Sequence, residues 1–240
     1  MPGVTPVMIR SRSSLTDRPQ QIGRTRPEKS LRVCLLGASG RVGRQVLREA
    51  VFRGYELRCQ TRNAAKLADE AGQVQICVFE PLDARQLELF VQGSDVVVMA
   101  LGTTSRASTE LFSKVTKRLI AAMQLCGVPR LIAITGVGAG ETRGHGGFVY
   151  DRIIYPLFTK NRYRDKEIQE ELIAASNLDW IIVRPAPFTK SRPQEQLEVH
   201  IEIGPDTMLR RITPGEVAEF VVGQFESDQY LHQRPFIGHP

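Results

Sequence analysis

Two rhythms of hydrophobic and polar positions run through residues 31–240. Short apolar runs occupy 31–36, 56–60, 74–79, 95–101, 130–135 and 179–183, each the length of a buried strand. Between them, apolar residues recur every three or four positions over 41–53, 63–70, 83–91, 108–126, about 149–176 and 214–226. That is the period of a helix with one buried face. In 108–126 the stripe is Leu111, Phe112, Val115, Leu119, Ile120 and Met123, which reads as core. Start signals support two of the helices. Asp83 with Gln86 three positions on predicts a capped start, and Thr213-Pro-Gly-Glu216 predicts a capping box with proline in the first turn. Strands that alternate with helices imply βαβ crossovers. The expected class is α/β, a single doubly wound and mostly parallel sheet with helices on both faces.

In such a sheet the ligand crevice lies beyond the carboxyl ends of the strands. The first of these ends is the most informative. Leu31-Arg-Val-Cys-Leu-Leu-Gly37-Ala-Ser-Gly40-Arg-Val-Gly43 is an apolar strand, a glycine turn, and then the helical pattern of Val42, Val46, Leu47, Ala50 and Val51. Glycines let backbone N–H groups approach a pyrophosphate, and the helix N-terminus adds partial positive charge. Gly43 lets the helix pack close to the strand. Strand before and helix after is the context a nucleotide-binding turn requires, and it predicts a Rossmann-like domain.

The other strand ends extend this reading. About 20 residues past the glycines, where a binder of NAD usually places an acid for the ribose 2′-hydroxyl, stands Arg62, with Lys66 a turn later. A cation there suits a 2′-phosphate, so NADP(H) is preferred over NAD(H); the plainer alternative is a solvated loop arginine. Glu80 is placed to accept from an adenine amino group. Leu101-Gly102-Thr103 brings a small residue near the cofactor phosphates and ribose, unless Gly102 is a simple turn glycine. After the fifth strand, residues 136–147 hold six glycines in twelve. So many suggest a mobile loop at the sheet's working edge. A basic stretch follows with Arg152, Lys160, Arg162, Arg164 and Lys166.

Composition sets limits. The chain has 240 residues, 42% of them hydrophobic, enough for one sizeable core. The net charge of +6 is uneven: residues 1–30 carry six cations against Asp17 and Glu28, leaving only +2 for the rest. The folded body therefore gives little support to nucleic-acid binding. Residues 1–30 are expected to be a disordered basic tail, or alternatively an organelle-targeting segment, and 31–240 the domain. No apolar run approaches the ~20 residues needed to cross a bilayer. Cytoplasmic location, no membrane and no nucleic acid are the expectations. Cys34, Cys59, Cys77 and Cys126 form no CxxC pair and read as free thiols; the four histidines have no metal-ligand spacing.

Gly37–Gly43, Thr61-Arg62-Asn63, Glu80-Pro-Leu-Asp83, Leu101-Gly102-Thr103, Lys166 with Glu170, and Leu178-Asp-Trp-Ile-Ile-Val-Arg184-Pro185 together resemble the atypical short-chain dehydrogenase/reductases with an NAD(P)H-binding domain. The NmrA-like proteins and the NADPH-dependent flavin reductase/biliverdin-IXβ reductase type are the most similar in pattern. The resemblance implies that Gly37, Ser39, Gly40, Arg41, Val42 and Arg62 hold the phosphates and that Glu80 reads adenine. It implies that Thr135 and Pro185 flank the nicotinamide. Lys166 would hold the nicotinamide ribose, or else be a surface lysine paired with Glu170. Thr135 and Lys166 are the catalytic candidates. The departures are plain: no Tyr-x-x-x-Lys occurs, the tyrosine position relative to Lys166 holds Arg162, and Tyr163 is about 100° round the helix from it. Gly136 stands where the flavin reductase type has serine. The expected function is hydride transfer from NADPH to a flat conjugated acceptor such as a flavin, quinone or tetrapyrrole, with the proton taken from solvent. Arg143, Lys160, Arg162, Lys190 and Arg192 would suit an anionic acceptor. The alternative is a weakly catalytic NADPH-sensing regulator or assembly factor with a protein partner.

Overall fold

The computed structural model describes residues 30–103, 110–137, 142, 145 and 160–240, the side chains of 160–163 excepted. The basic tail, 104–109, most of the glycine-rich segment and the first part of the helix expected over 149–176 lie outside them. The order is β1 (Arg32–Leu36), α1 (Gly43–Phe52), β2 (Glu56–Thr61), a 3₁₀ segment (Ala64–Glu70), β3 (Gln75–Val78), α2 (Ala84–Val91), β4 (Val96–Met99), α3 (Leu111–Cys126), β5 (Arg130–Ile134), α4 (Lys160–Ala174), β6 (Asp179–Pro185), β7 (Glu198–His200), α5 (Pro214–Gly223) and β8 (Phe236–Gly238). One eight-stranded sheet runs β3-β2-β1-β4-β5-β6-β8-β7. All pairings are parallel except β7 with β8.

The central strands are apolar at successive positions because both of their faces are covered. Val33, Leu35, Val96, Val98, Ile132, Ile134, Ile181 and Val183 face one core, which α1 and α5 complete. Their neighbours Cys34, Leu36, Val97, Met99, Leu131, Ala133, Trp180 and Ile182 face the other, built with residues of α2, α3 and α4. Cys34 and Cys59 are buried free thiols, and burial pushes them up to about 11 and about 12 respectively. Cys77 and Cys126 are only partly buried. No helix among the described residues is long and apolar enough to cross a membrane.

Two points differ from the sequence pattern. The segment after Asn63 is 3₁₀ rather than α-helical, with Asn63 Oδ1 accepting from the Ala65 N–H. Strands β7 and β8, three residues each, were not anticipated: they are too short to show a period. They matter because β8 extends the sheet beyond β6, and the bridges Phe188↔Ile212 and Arg211↔His239 tie the chain after β6 to the C-terminus. The caps at Asp83 and Thr213 form as expected, the latter a full capping box with Glu216. Glu216 also accepts from His239 at 2.9 Å, so the box anchors the penultimate residue. Thr213→Ala should cost about 1 kcal/mol and lower Tm by about 2–4 °C. Calorimetry checks this, and an unchanged Tm would show that the box adds no stability.

Candidate functional site

The turn after β1 is shaped by what cannot fit there. Gly37 has φ +87°, and a Cβ on it would lie 2.9 Å from the Ala100 carbonyl oxygen at the end of β4. A Cβ on Gly43 would lie 2.2 Å from the Gly37 carbonyl oxygen. Helix α1 can therefore start against the turn only because both residues lack side chains. Gln60 holds the turn from β2. Its buried side chain accepts from the Gly37 N–H at 3.1 Å and donates to the Phe79 carbonyl at 2.7 Å. Thr61 donates to the Ser39 hydroxyl at 3.0 Å. None of these contacts was anticipated from sequence.

The helix starts differ in a way that points to a ligand. Asp83 caps α2 and Thr213 caps α5. Asp165 of α4 accepts from the Phe112 and Ser113 N–H groups and so caps α3. Helix α1 begins at Val42 with no side-chain cap and no acid in its first turn. The Arg44 and Gln45 N–H groups bond back to the Gly40 and Val42 carbonyls, so what this start offers an anion is the positive end of a helix dipole with no carboxylate to offset it.

That N-terminus opens on a cleft of about 630 Å³ across the carboxyl ends of the strands. Its walls come from the β1 turn (Gly37, Ser39, Gly40, Arg41, Val42), the β2 end (Gln60, Thr61, Arg62, Lys66) and the β4 end (Ala100, Leu101, Gly102, Thr103). Pro81, Leu111, Phe112, Ile134, Thr135, Lys166 and Phe188 complete them. Among the described residues that line it, Arg41, Arg62, Lys66 and Lys166 are basic and none is acidic. Arg62 and Lys66 are exposed, and Arg41 lies over the Phe188 ring, 5.0 Å from its centroid.

Most of the residues expected at the site thus meet in one cleft. Three do not line it. Gly43 is buried behind the turn, Glu80 is exposed beside the lining Pro81, and Pro185 is buried at the end of β6. Lys166 is not a surface partner of Glu170. It is half-buried, donates to the Ile134 carbonyl at 3.1 Å, and places its ammonium 4.6 Å from the centre of the Phe112 ring. The Glu170 carboxylate is engaged instead by Arg184, at 2.6 Å, and by the Thr135 hydroxyl, at 2.6 Å. Arg192, expected beside an anionic acceptor, binds Glu216 and Glu219. Lys190 is exposed. Arg143 and the side chains of Lys160, Arg162 and Tyr163 lie outside the described residues.

The packing at Gly43 yields a test. Gly43→Ala forces α1 away from the turn and should cost at least 1–3 kcal/mol, with loss of anion binding in whatever remains folded. A stable Gly43→Ala protein that still binds nucleotide would show that α1 does not need this close approach.

Comparison with known proteins agrees with the geometry. The chain is 26% identical over 165 residues to the uncharacterized protein YwnB of Bacillus subtilis, covering 66% of this chain and 73% of that one. It is 25% identical over 226 residues to the photosystem II assembly factor Ycf39 of Synechocystis, covering 87% of this chain but only 63% of that longer protein. Among solved structures, the anaerobillin reductase ChuY of Escherichia coli O157:H7 superposes with a TM-score of 0.71 at 17% identity, covering 87% of this chain and 97% of that one. At that identity the likeness shows the shared Rossmann fold. The family described as NAD(P)H-binding matches residues 37–228, from the first glycine of the turn to beyond α5, and the chain belongs to it.

Proposed function

We propose that this protein is an NADPH-dependent reductase acting on a flat conjugated acceptor such as a flavin, quinone or tetrapyrrole. The observation that carries the reading is the sign of the cleft. An uncapped helix start and four basic side chains face a volume with no acid among its described lining residues. A site selective for NAD would place a carboxylate after β2, where Arg62 and Lys66 stand.

The residues fit a nicotinamide dinucleotide along the strand ends. The glycine turn with Ser39 and the positive end of α1 would hold the pyrophosphate, and Arg62, with Lys66 a turn later, the 2′-phosphate. Glu80 is offered to adenine from outside the cleft wall, and the far end is left to Thr135 and Lys166. Bound this way, the reduced cofactor supplies a hydride at that end. There Leu111 and Phe112 offer apolar surface to a planar ring. No tyrosine is among the described residues of the wall. The chemistry then suits an acceptor that takes its proton from solvent.

A second reading has its own support. The polar groups at the far end are engaged within the protein, Thr135 with Glu170 and Lys166 with Ile134. That arrangement suits a protein that holds NADPH while a partner protein reads its state, and one relative is named an assembly factor.

NADPH should bind about tenfold more tightly than NADH, a modest margin because Arg62 is exposed and its charge is screened. Arg62→Ala should remove most of the difference, as read by calorimetric titration; equal affinities in the unmodified protein would overturn the NADP preference. NADPH oxidation with flavins, quinones and tetrapyrroles decides between the two readings. Turnover that survives Tyr163→Phe within a few-fold supports the solvent-proton reductase, whereas loss of a general acid would cost roughly 10²–10⁴-fold. Tight NADPH binding with no turnover on any acceptor supports the assembly factor.

A further inference from the structure

Helix α4 has an unusual inner face. Asp165, Gln169 and Glu170 are each at most 3% exposed, while Ile168 is 43% exposed. The polar side chains point inward and each has a defined task. Asp165 caps α3. Gln169 donates to the Met99 sulfur at 3.2 Å. Glu170 accepts from Arg184 through both carboxylate oxygens and from Thr135. The Arg234 guanidinium is 3.8 Å from the same carboxylate.

The chemistry of that carboxylate dictates the state of Thr135. An ionised carboxylate flanked by two guanidinium groups accepts hydrogen bonds and cannot donate. The Thr135 hydroxyl, 2.6 Å away, must therefore give its single proton to Glu170. What Thr135 can offer the cleft, whose wall it forms, is a lone pair. Lys166, one turn earlier on α4 than Glu170, lines the same end. Its ammonium is a donor only, with three N–H groups, and it is held in place by the Ile134 carbonyl, the Phe112 ring and a further contact. An acceptor and a donor thus stand side by side at the floor of the cleft.

We propose that Glu170 is a positioning residue that fixes Thr135 as an acceptor, and that Thr135 and Lys166 together read the carboxamide of a nicotinamide ring. The amide N–H would donate to Thr135 and the amide carbonyl accept from Lys166. This gives Thr135 a part in recognition and removes it as a proton donor, because its proton is held by Glu170. The inference rests on reading the cleft as a nicotinamide nucleotide site.

The test compares three probes on the full-length protein by calorimetric titration. They are NADP, its 3-acetylpyridine analogue, which keeps the carbonyl but lacks the amide N–H, and 2′-phospho-ADP-ribose, which lacks the ring. Unmodified protein should prefer NADP over the analogue by about tenfold, the worth of one well-formed hydrogen bond. Thr135→Val should reduce that preference to near unity, and Thr135→Ser should retain it. Glu170→Gln should weaken the preference while leaving 2′-phospho-ADP-ribose affinity unchanged; a purely structural role would lower all three affinities together and would overturn the positioning role. Equal binding of NADP and the analogue by unmodified protein overturns the carboxamide reading, and so does a preference that persists in Thr135→Val. If 2′-phospho-ADP-ribose binds in those cases, the nucleotide site stands. Failure of all three probes to bind overturns both readings.

Discussion

The approach of α1 to the end of β1 is the contact on which the working edge of this molecule depends. Two absent side chains permit it. With a Cβ at Gly43, α1 would have to move off the Gly37 carbonyl; with one at Gly37, the turn would press on the β4 end at Ala100. Because the helix starts where it does, the positive end of its dipole faces the cleft. Its first turn has neither a side-chain cap nor an acid, so no carboxylate there offsets that partial charge. Gln60 then transmits the position of the β3 end to the turn through two hydrogen bonds. The glycines and one buried amide thus set where a phosphate can lie.

The opposite end of the cleft is organised by charge. A buried Glu170–Arg184 pair gains Coulomb energy but loses hydration, and such pairs are weak evidence for net stability. Breaking one by removing a single partner, however, typically costs about 3–5 kcal/mol. The pair therefore fixes geometry more than it adds stability. It clamps α4 to β6, and through Thr135 it also holds the end of β5. Arg234, beside the same carboxylate, stacks over Trp180 at 5.8 Å and brings in the segment before β8. Four separate stretches of chain converge on one carboxylate next to the site.

The two ends of the cleft ask for different things. At the β2 side the cations are exposed and screened, which suits a highly charged, partly solvated phosphate. At the β5 side the polar groups are buried or half-buried and matched to internal partners. That suits recognition of a neutral, planar group. The dinucleotide we propose, with phosphates at one end and an aromatic amide at the other, would meet both demands.

Local sequence determined a large part of this. The β1 strand, glycine turn and α1 are contiguous, and their chemistry is carried by residue type and spacing within thirteen positions. The double-faced sheet was legible because central strands covered on both sides must be apolar throughout. The caps at Asp83 and Thr213 were legible because they act over three residues. Tertiary structure decided the rest. The β7 and β8 strands are too short for any period and exist through pairing with each other and with β6. The role of Gln60 depends on strand β2 lying beside β1. The inner face of α4 inverted the usual rule, with Ile168 outward and Asp165, Gln169 and Glu170 inward, because the two carboxylates and the Gln169 amide nitrogen each meet a partner from another element. Sequence spacing offered a Lys166–Glu170 pair along the helix as the alternative to a ribose contact. Packing gave Glu170 to Arg184 and Thr135 instead, since a buried carboxylate is best satisfied by a forked guanidinium that no neighbour on its own helix supplies.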